Sequence, residues 1–286
     1  MNPVEEAKKM MSEYERIEHL QNYHGEDEVV YSLDMRKEIA ERKNNIPSMS
    51  FVSGIPTLDS LIKSFQGGEL TVISGKTKHG KTLLAQTFTR NMNEIILPMW
   101  FTYEVRIEQF LSQFGNSLPC FLVPKKLRQN DMAWLEDRIV EGILKYNCQV
   151  VFLDNTHNIL NLTGDNLTHK IDEFVKRLKE IAVQNNIHIF LMHHVSKCEI
   201  SSVENLNSNL LRDSSMIPQT ADNVFFIWRD KDDKGAWLKI TENRREGVFN
   251  KLVRLQKVGY FFEESTEISA PVEVKPKTRR RRDIDD

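Results

Sequence analysis

Residues 70–92 read LTVISGKTKHGKTLLAQTFTRNM, and this stretch decides the fold. Its first part, LTVIS, is a short apolar run rich in β-branched residues, which predicts a buried strand. Its last part, LLAQTFTRNM, predicts a helix. Between them, Gly75 to Thr82 match the pattern GxxxxGK[ST], in which a glycine-rich loop joins a strand to a helix and cradles phosphates. The flanking strand and helix are the context that this motif requires, so the sequence predicts a nucleotide-binding loop.

The residue types in this loop indicate how it would bind Mg-ATP. Glycines let backbone N–H groups turn toward the phosphates, and the following helix adds the positive end of its dipole. Lys81 is predicted to reach the β and γ phosphates, and Thr82 to ligate Mg²⁺. Lys76, Lys78 and His79 fill variable positions and have no individual role. The predicted nucleotide-binding residues are Gly75, Lys76, Thr77, Lys78, His79, Gly80, Lys81 and Thr82.

Two acidic residues at strand ends are candidates for the rest of the site. Asp154 ends the run QVVFLD, where a carboxylate would lie beside the loop and the metal; the alternative is an aspartate in a surface turn. Glu104 ends the run MWFTYE, where a carboxylate could polarise the attacking water as general base. Spacing alone leaves this second role open, because Glu108 is nearby and strand ends are often charged.

The remaining sequence predicts an α/β fold. From Phe51 to about Phe262, the apolar runs LTVISG, MWFTYE, QVVFLDN, HIFLMHH and DNVFFIW alternate with helical stretches, which is typical of a mainly parallel sheet. The later runs AWLKITENR and KLVRLQKVGYFFEE predict an antiparallel extension of that sheet. The predicted organisation is a helical leader or linker at 1–47, a RecA-like ATPase domain at 48–264, and a disordered basic tail at 265–286.

The leader contains Met10, Tyr14, Ile17 and Leu20 at helical spacing, which predicts a short amphipathic helix. A second helix is predicted from Leu33 to Lys43, with Ser32 as its N-cap. Two interpretations stay open for this region. It is either a solvated leader or a linker helix that docks on a neighbouring subunit.

Composition excludes several classes of protein. The 286 residues include 39 Lys+Arg and 41 Asp+Glu, so the net charge of −2 points to no polyanionic partner for the chain as a whole. Three cysteines that form no CxxC pair argue against a disulfide framework or a zinc site. No apolar run approaches the roughly 20 residues of a membrane span, and the first residues are charged. We therefore expect a soluble protein of the cytoplasm, or of the host cytoplasm if the protein is viral.

Beyond the loop motif, the chain resembles the ATPase domain of DnaB-type replicative helicases over about residues 48–262. The lead FVSGIPTLDSLIKSFQGGEL precedes the loop, and similar blocks follow in the same order as in that family: FTYEV, VVFLDN, FLMHHVSK, LRDSSMIPQTADNVFFIWRD and LKITENRREG. The LDN step and the histidine strand look closer to the Twinkle and phage primase-helicase branch. The resemblance implies a RecA-like core with ATP and Mg²⁺ as cofactors.

The resemblance also implies roles for individual residues. Glu104 takes the position of the general base, Asp154 that of the metal-side acid, and His194 that of the γ-phosphate sensor, with His193 as a possible substitute. Arg244 is the first choice for the arginine finger and Arg245 the second. The family usually shows Lys-x-Arg before a glycine, whereas this chain has Glu242 where that lysine belongs.

An arginine supplied to a neighbouring site implies a homo-oligomeric ring, most simply a hexamer. The partners implied are single-stranded DNA and forked duplex DNA, with a separate primase and helicase loader. The DNA-contacting loop would run from Ser196 to Arg212, with Lys197 and Arg212 as its basic residues. A flexible surface loop is the alternative. The run Arg279 to Arg282 is interpreted as part of the tail.

The function predicted from sequence is an ATP-dependent replicative DNA helicase that moves 5′ to 3′ on single-stranded DNA and unwinds duplex. Two alternatives stay open. One is a RecA/RadA/KaiC-like ATPase that does not unwind DNA. The other is an ATP-gated assembly or adaptor protein with little turnover, suggested by the missing lysine and the weakly basic loop.

Overall fold

The computed structural model describes residues 3–25, 28–45, 49–92, 95–115, 118–161, 166–195, 202–211, 216–230 and 235–266. The helices are α1 (Pro3–Gln21), α2 (Ser32–Asn45), α3 (Pro56–Ile62), α4 (Lys81–Asn91), α5 (Ile107–Ser112), α6 (Met132–Tyr146), α7 (Thr156–Leu160), α8 (Leu167–Asn185) and α9 (Ile217–Thr220). The strands are β1 (Ser50–Phe51), β2 (Phe65–Gln66), β3 (Leu70–Gly75), β4 (Pro98–Thr102), β5 (Val150–Asp154), β6 (His188–His194), β7 (Asn223–Arg229), β8 (Gly235–Asn243), β9 (Lys251–Val258) and β10 (Phe261–Glu264).

The chain divides into two compact units, residues 1–48 and residues 49–286. The first unit contains α1 and α2, and α2 begins at Ser32, the residue predicted as its N-cap. Tyr14, Ile17 and Leu20 are all exposed on α1. Among the described residues of the chain, no helix is both long and apolar enough to cross a bilayer.

The second unit is built on one large sheet with the strand order β10-β9-β8-β7-β3-β6-β5-β4 in the described part of the chain. The strands from β7 to β4 run parallel to one another, and β8, β9 and β10 are antiparallel. This arrangement confirms the predicted α/β class and its antiparallel extension. The predicted tail lies outside the described residues from position 267 onward.

Apolar residues on both faces of the sheet explain why its strands read as continuous hydrophobic runs. One face packs against α6 and α8, and the other against α3 and α4. The predicted apolar side of α8 is buried at Ile171, Phe174, Val175 and Leu178. Because the parallel strands are buried on both faces, polar side chains at their carboxyl ends are left to form a site.

Candidate nucleotide-binding site

The loop between β3 and α4 has the backbone geometry that its glycines permit. Gly75 and Gly80 have φ angles of 149° and 101°, which residues with side chains rarely adopt. A Cβ atom on Gly75 would lie 2.5 Å from the Ile227 carbonyl oxygen, and one on Gly80 would lie 2.9 Å from the Phe262 ring. Both the conformation and the close approach of neighbouring atoms therefore require glycine at these positions.

Lys81 is the first residue of α4, and its ammonium group bends back into the loop. Its Nζ donates hydrogen bonds to the carbonyl oxygens of Gly75 at 3.1 Å and Lys76 at 3.3 Å. Burial lowers the pKa of this ammonium, while the nearby Asp154 and Glu104 carboxylates act to raise it. The structure thus holds a desolvated cation, 6% exposed, where an anion would be strongly attracted.

Asp154 ends β5 directly beside Thr82. The Thr82 hydroxyl donates a hydrogen bond of 2.6 Å to Asp154 Oδ2. Burial raises the pKa of Asp154 to about 6, and the Glu104 charge adds to this effect, whereas the bond from Thr82 and the Lys81 ammonium lower it. The carboxylate is 1% exposed. The alternative of an aspartate in a surface turn is therefore wrong.

The donor set at this point fits a magnesium ion. Asp154 Oδ1 is buried and accepts no hydrogen bond from the described residues, although its partner oxygen is bonded to Thr82. A carboxylate and a hydroxyl oxygen are the hard ligands that Mg²⁺ prefers, usually together with phosphate oxygens and water. Thr82 and Asp154 are thus the residues that would hold the metal.

Glu104 lies on the neighbouring strand end. In the parallel pair of β4 and β5, Thr102 is aligned with Asp154, so Glu104 extends just beyond the sheet. Asn155 Nδ2 donates a hydrogen bond of 3.0 Å to Glu104 Oε2, and Asn155 Oδ1 accepts from the Asn158 backbone at the start of α7. Sequence reasoning assigned no role to Asn155, although its place directly after Asp154 was a usable signal.

The two candidate histidines differ in their surroundings. The register of β3 and β6 aligns His194 with Gly75, the first residue of the loop, and His193 with Ser74 inside the sheet. His193 is fully buried, and its Nδ1 lies 3.2 Å from the Thr156 hydroxyl. His194 is only partly buried. The geometry therefore favours His194 over His193 as the group that faces a phosphate.

A cleft of about 380 Å³ brings together the loop, the two carboxylates and part of the antiparallel extension. Glu108 lies on α5 and does not line it. Sequence reasoning missed several of its residues, among them Arg229 at the end of β7 and Lys257 and Tyr260 near the turn between β9 and β10. The full lining is Lys78, Gly80, Lys81, Thr82, Leu83, Gln86, Glu104, Val105, Gln113, Asp154, Arg229, Lys257 and Tyr260.

Arg229 and His79 attach the loop to β7. The Arg229 backbone N–H donates to His79 Nδ1 at 3.1 Å, and Arg229 Nη1 donates to the Lys78 carbonyl at 3.2 Å. The Trp228 ring lies edge-on to His79, with the Lys76 ammonium 5.0 Å from its centre. Burial and the surrounding cations lower the pKa of His79 to about 4, so the ring is neutral and accepts this hydrogen bond. His79 therefore has a structural role that the motif alone did not indicate.

Arg244 and Arg245 lie at the opposite edge of the sheet from the loop. Thr71 near the start of β3 is aligned with Asn223, and Asn223 with Asn243, so the arginines follow roughly 13 Å of strand away from Gly75. Arg244 is exposed, and its guanidinium contacts the carbonyl oxygens of Pro218 and Gln219. The structure does not bring either arginine to the cleft of its own chain.

Arg245 is held more firmly than Arg244. Its Nη2 donates to the carbonyl oxygens of Ile62, at 2.7 Å, and Ser64, and its Nη1 lies 3.2 Å from Glu69. These contacts hold the guanidinium against the body of the domain.

The predicted DNA contacts, Lys197 and Arg212, both lie outside the described residues. The described part of that loop, Ser202–Leu211, packs on the sheet rather than standing away from it. Val203 and Leu206 are buried, and Leu211 forms a bridge with Val195 at the end of β6. The interpretation of a surface loop is therefore wrong for this segment.

Comparison with known proteins identifies similar chains. A "Probable replicative DNA helicase" of Trieres chinensis is 24% identical over 75% of this chain and 57% of its own length. A "Replicative DNA helicase DnaB" of Rickettsia bellii is 23% identical over 66% of this chain and 47% of its own length. The chain thus spans about half the length of the curated relatives it matches. No family model matches the chain.

A solved structure that its title describes as an ATPase domain has the same fold. The two superpose with a TM-score of 0.65 over 83% of this chain and 100% of the other, at 15% sequence identity. At that identity the likeness speaks for the architecture alone, which is the sheet and helices described above.

Proposed function

This chain carries a DnaB-type, RecA-like domain, and from that premise we propose that it is a ring-forming replicative DNA helicase. In this proposal it hydrolyses Mg-ATP to move 5′ to 3′ along single-stranded DNA and unwind duplex. One observation carries the proposal. The loop lysine, the metal-side pair Thr82 and Asp154, and the Glu104 carboxylate converge on a single cleft. The closer resemblance to the Twinkle and phage primase-helicase branch remains a prediction.

The residues of the cleft divide the work of ATP hydrolysis. Lys81 would bind the β and γ phosphates, since its buried ammonium has carbonyl oxygens as its weak present partners. Bound Mg²⁺ supplies neutralisation of phosphate charge. Glu104 would orient the attacking water and accept its proton, and Asn155 would hold the glutamate in place through its 3.0 Å hydrogen bond. His194 would sense the γ-phosphate from the neighbouring strand end.

The antiparallel extension would complete the nucleotide site. Arg229 and Lys257 add positive charge beside the loop, and Tyr260 presents an exposed aromatic ring at the rim of the cleft. Cations favour the phosphates and an aromatic face favours a base.

The position of Arg244 supports a ring. An arginine that lies at the far edge of the sheet cannot serve its own cleft, but it can reach the cleft of an adjacent copy. A finger of this kind neutralises charge in the transition state and is worth about 10³ to 10⁵ in rate. We therefore assign the finger to Arg244 and propose a homo-oligomeric ring, most simply a hexamer.

In such a ring, Lys197 and Arg212 would contact the DNA backbone from each subunit. Repetition around the ring multiplies the few basic residues of each copy. Priming and loading onto forked DNA would fall to a separate primase and a separate loader. These partners follow from the proposed function.

The test is ATP hydrolysis by the full chain with and without single-stranded DNA, combined with oligomer size in the same buffer and unwinding of a forked duplex. Lys81→Ala serves as the blank. Strong DNA stimulation of a ring-sized species that also unwinds the fork supports the helicase. DNA-stimulated turnover without unwinding would replace it with a RecA-like ATPase. Bound ATP with negligible turnover would favour an ATP-gated adaptor, the alternative that Glu242 in place of the family lysine suggests.

A further inference from the structure

Strand β8 connects the segment Ser202–Leu211 to the turn that carries Arg244. We propose that Lys239 and Glu242 are positioning residues on β8 that couple this segment to the arginine turn, so that DNA bound near the segment changes hydrolysis at the neighbouring site. This inference rests on the proposed function. It is carried by buried and specific contacts between two parts of the chain that lie about 35 residues apart.

Lys239 is the stronger of the two attachments. It lies in the middle of β8 and is 5% exposed, although lysine is rarely buried without a charged partner. Its Nζ donates hydrogen bonds to the carbonyl oxygens of Glu204 at 2.6 Å and Leu206 at 2.7 Å. Leu206 is itself fully buried. The segment is thus held to the strand at two points of its own backbone.

Glu242 forms the second attachment, closer to the arginines. Its carboxylate accepts a hydrogen bond from the Ser208 hydroxyl, which also lies 3.4 Å from the Thr241 hydroxyl. Glu242 is the residue that stands where the resemblance leads us to expect a lysine. The substitution therefore has a structural consequence in this chain, since a lysine there would offer Ser208 no carboxylate.

The strand continues from Glu242 into a rigid turn. Asn243 is buried, donates to Asn223 Oδ1 at 2.6 Å, and accepts the Glu246 backbone N–H at 2.8 Å. The Arg244 backbone N–H donates to the Asp222 carbonyl at 2.9 Å. Since β8 is paired with β7 on one side and β9 on the other, a displacement of the segment is transmitted along the strand rather than absorbed by a loop.

The first test measures the coupling in the full chain without DNA. Amide hydrogen exchange is followed at Arg244 and Glu246 in the wild type, in Ser208→Ala and in Glu242→Gln. We expect exchange at these amides to be about threefold or more faster in both variants, because each removes the same bond. Glu173→Gln, an exposed residue on α8, is the matched control. Unchanged exchange in both variants would overturn the coupling.

The second test measures the ratio of ATP turnover with single-stranded DNA to turnover without it. We expect this ratio to fall by about threefold or more in Ser208→Ala and in Glu242→Gln, with the double variant no worse than either single change. Additive losses would mean that the two residues act separately and would overturn the coupling. Lys239→Met should reduce the ratio further, and its unfolding temperature is measured in parallel. Because that variant can fail to fold, the Ser208 and Glu242 variants decide the outcome.

The two tests separate this inference from the proposed function. If DNA does not stimulate the wild type, the proposed function fails, and the coupling is then decided by hydrogen exchange alone. If DNA stimulates the wild type and both variants equally, the helicase proposal stands and the coupling is wrong.

Discussion

Thr82 donates a 2.6 Å hydrogen bond to Asp154, although the two residues are 72 positions apart in the chain. One is the second residue of α4, and the other is the last residue of β5. The bond occupies Oδ2 and leaves the buried Oδ1 without a hydrogen-bond donor among the described residues. A buried carboxylate oxygen in this state favours a cation, so the pair is organised for a metal before the nucleotide arrives.

Replacing Asp154 with Asn should weaken the binding of the metal. The side chain keeps its shape, but the negative charge is lost, so we expect hydrolysis to fall by about two orders of magnitude and its dependence on Mg²⁺ to shift to higher concentration. The measurement is turnover against Mg²⁺ concentration. Asp137→Asn, at an exposed position of α6, should retain the wild-type curve. A wild-type curve for Asp154→Asn would remove this residue from the metal site.

Lys81→Ala should greatly weaken nucleotide binding while leaving the unliganded protein folded. Losing a charge-assisted contact to phosphate should weaken ATP binding by about 10- to 150-fold. The Lys81 ammonium is held in a desolvated position, so its removal should change the unfolding temperature little in the absence of ATP. The measurement is the rise in unfolding temperature on adding ATP, which reports affinity. Lys145→Ala at an exposed position of α6 is the control, and a full ATP-induced rise in Lys81→Ala would contradict the role.

The sequence was sufficient for those parts of the site that depend on local pattern. The loop from Gly75 to Thr82 is contiguous, and its fold follows from glycine positions and flanking elements. Asp154 and Glu104 could be placed beside it because carboxyl ends of parallel strands meet at one edge of a sheet. The fold class followed in the same way from alternating apolar runs and helices.

The other side of the cleft depends on pairing that the sequence does not display. Arg229 and Tyr260 reach the loop through the antiparallel strands, and the register of β7 with β8 shifts by an irregularity between Val224 and Phe225. Nothing in the local pattern marks Lys239 as buried, because a lysine in a strand is usually at the surface. Such residues are set by tertiary packing.

Arg244→Ala should separate nucleotide binding from hydrolysis. If Arg244 acts on the neighbouring site, ATP affinity should stay near wild type while turnover falls by about 10³-fold or more. Mixing Arg244→Ala with Lys81→Ala is the decisive measurement. The first chain has an intact cleft and the second an intact finger, so mixed rings should recover activity that neither protein has alone. No recovery in mixed rings would argue against an arginine supplied by another subunit.

Arg245→Ala should instead destabilise the domain. Its guanidinium contacts the carbonyl oxygens of Ile62 and Ser64, and these acceptors would lose their donor. We expect a loss of about 1–3 kcal/mol in the free energy of unfolding, measured by urea titration, with turnover of the folded fraction largely retained. A loss of turnover as large as that of Arg244→Ala, without a loss of stability, would move the finger to Arg245.

His188 should make the stability of the domain depend on pH. The ring is fully buried, with Nε2 2.9 Å from the Thr71 hydroxyl and Nδ1 2.8 Å from the Gln66 carbonyl, and burial lowers its pKa to about 3. Below the unfolded pKa of about 6.5, the unfolded chain binds a proton that the folded ring does not. Stability therefore falls with falling pH, by up to about 1.4 kcal/mol per pH unit.

The measurement for His188 is the free energy of unfolding by urea at pH 7 and pH 5. His188→Gln keeps a donor and an acceptor but does not titrate, so it should lose about 2 kcal/mol less than the wild type over this interval. Glu69 lies 3.8 Å from the ring, and burial raises its pKa, which acts in the opposite direction. Comparing slopes rather than absolute stabilities largely removes that contribution, since Glu69 is present in both proteins. His169→Gln, at an exposed position, should keep the wild-type slope. An unchanged slope in His188→Gln would mean that this ring accepts a proton while it remains in the sheet.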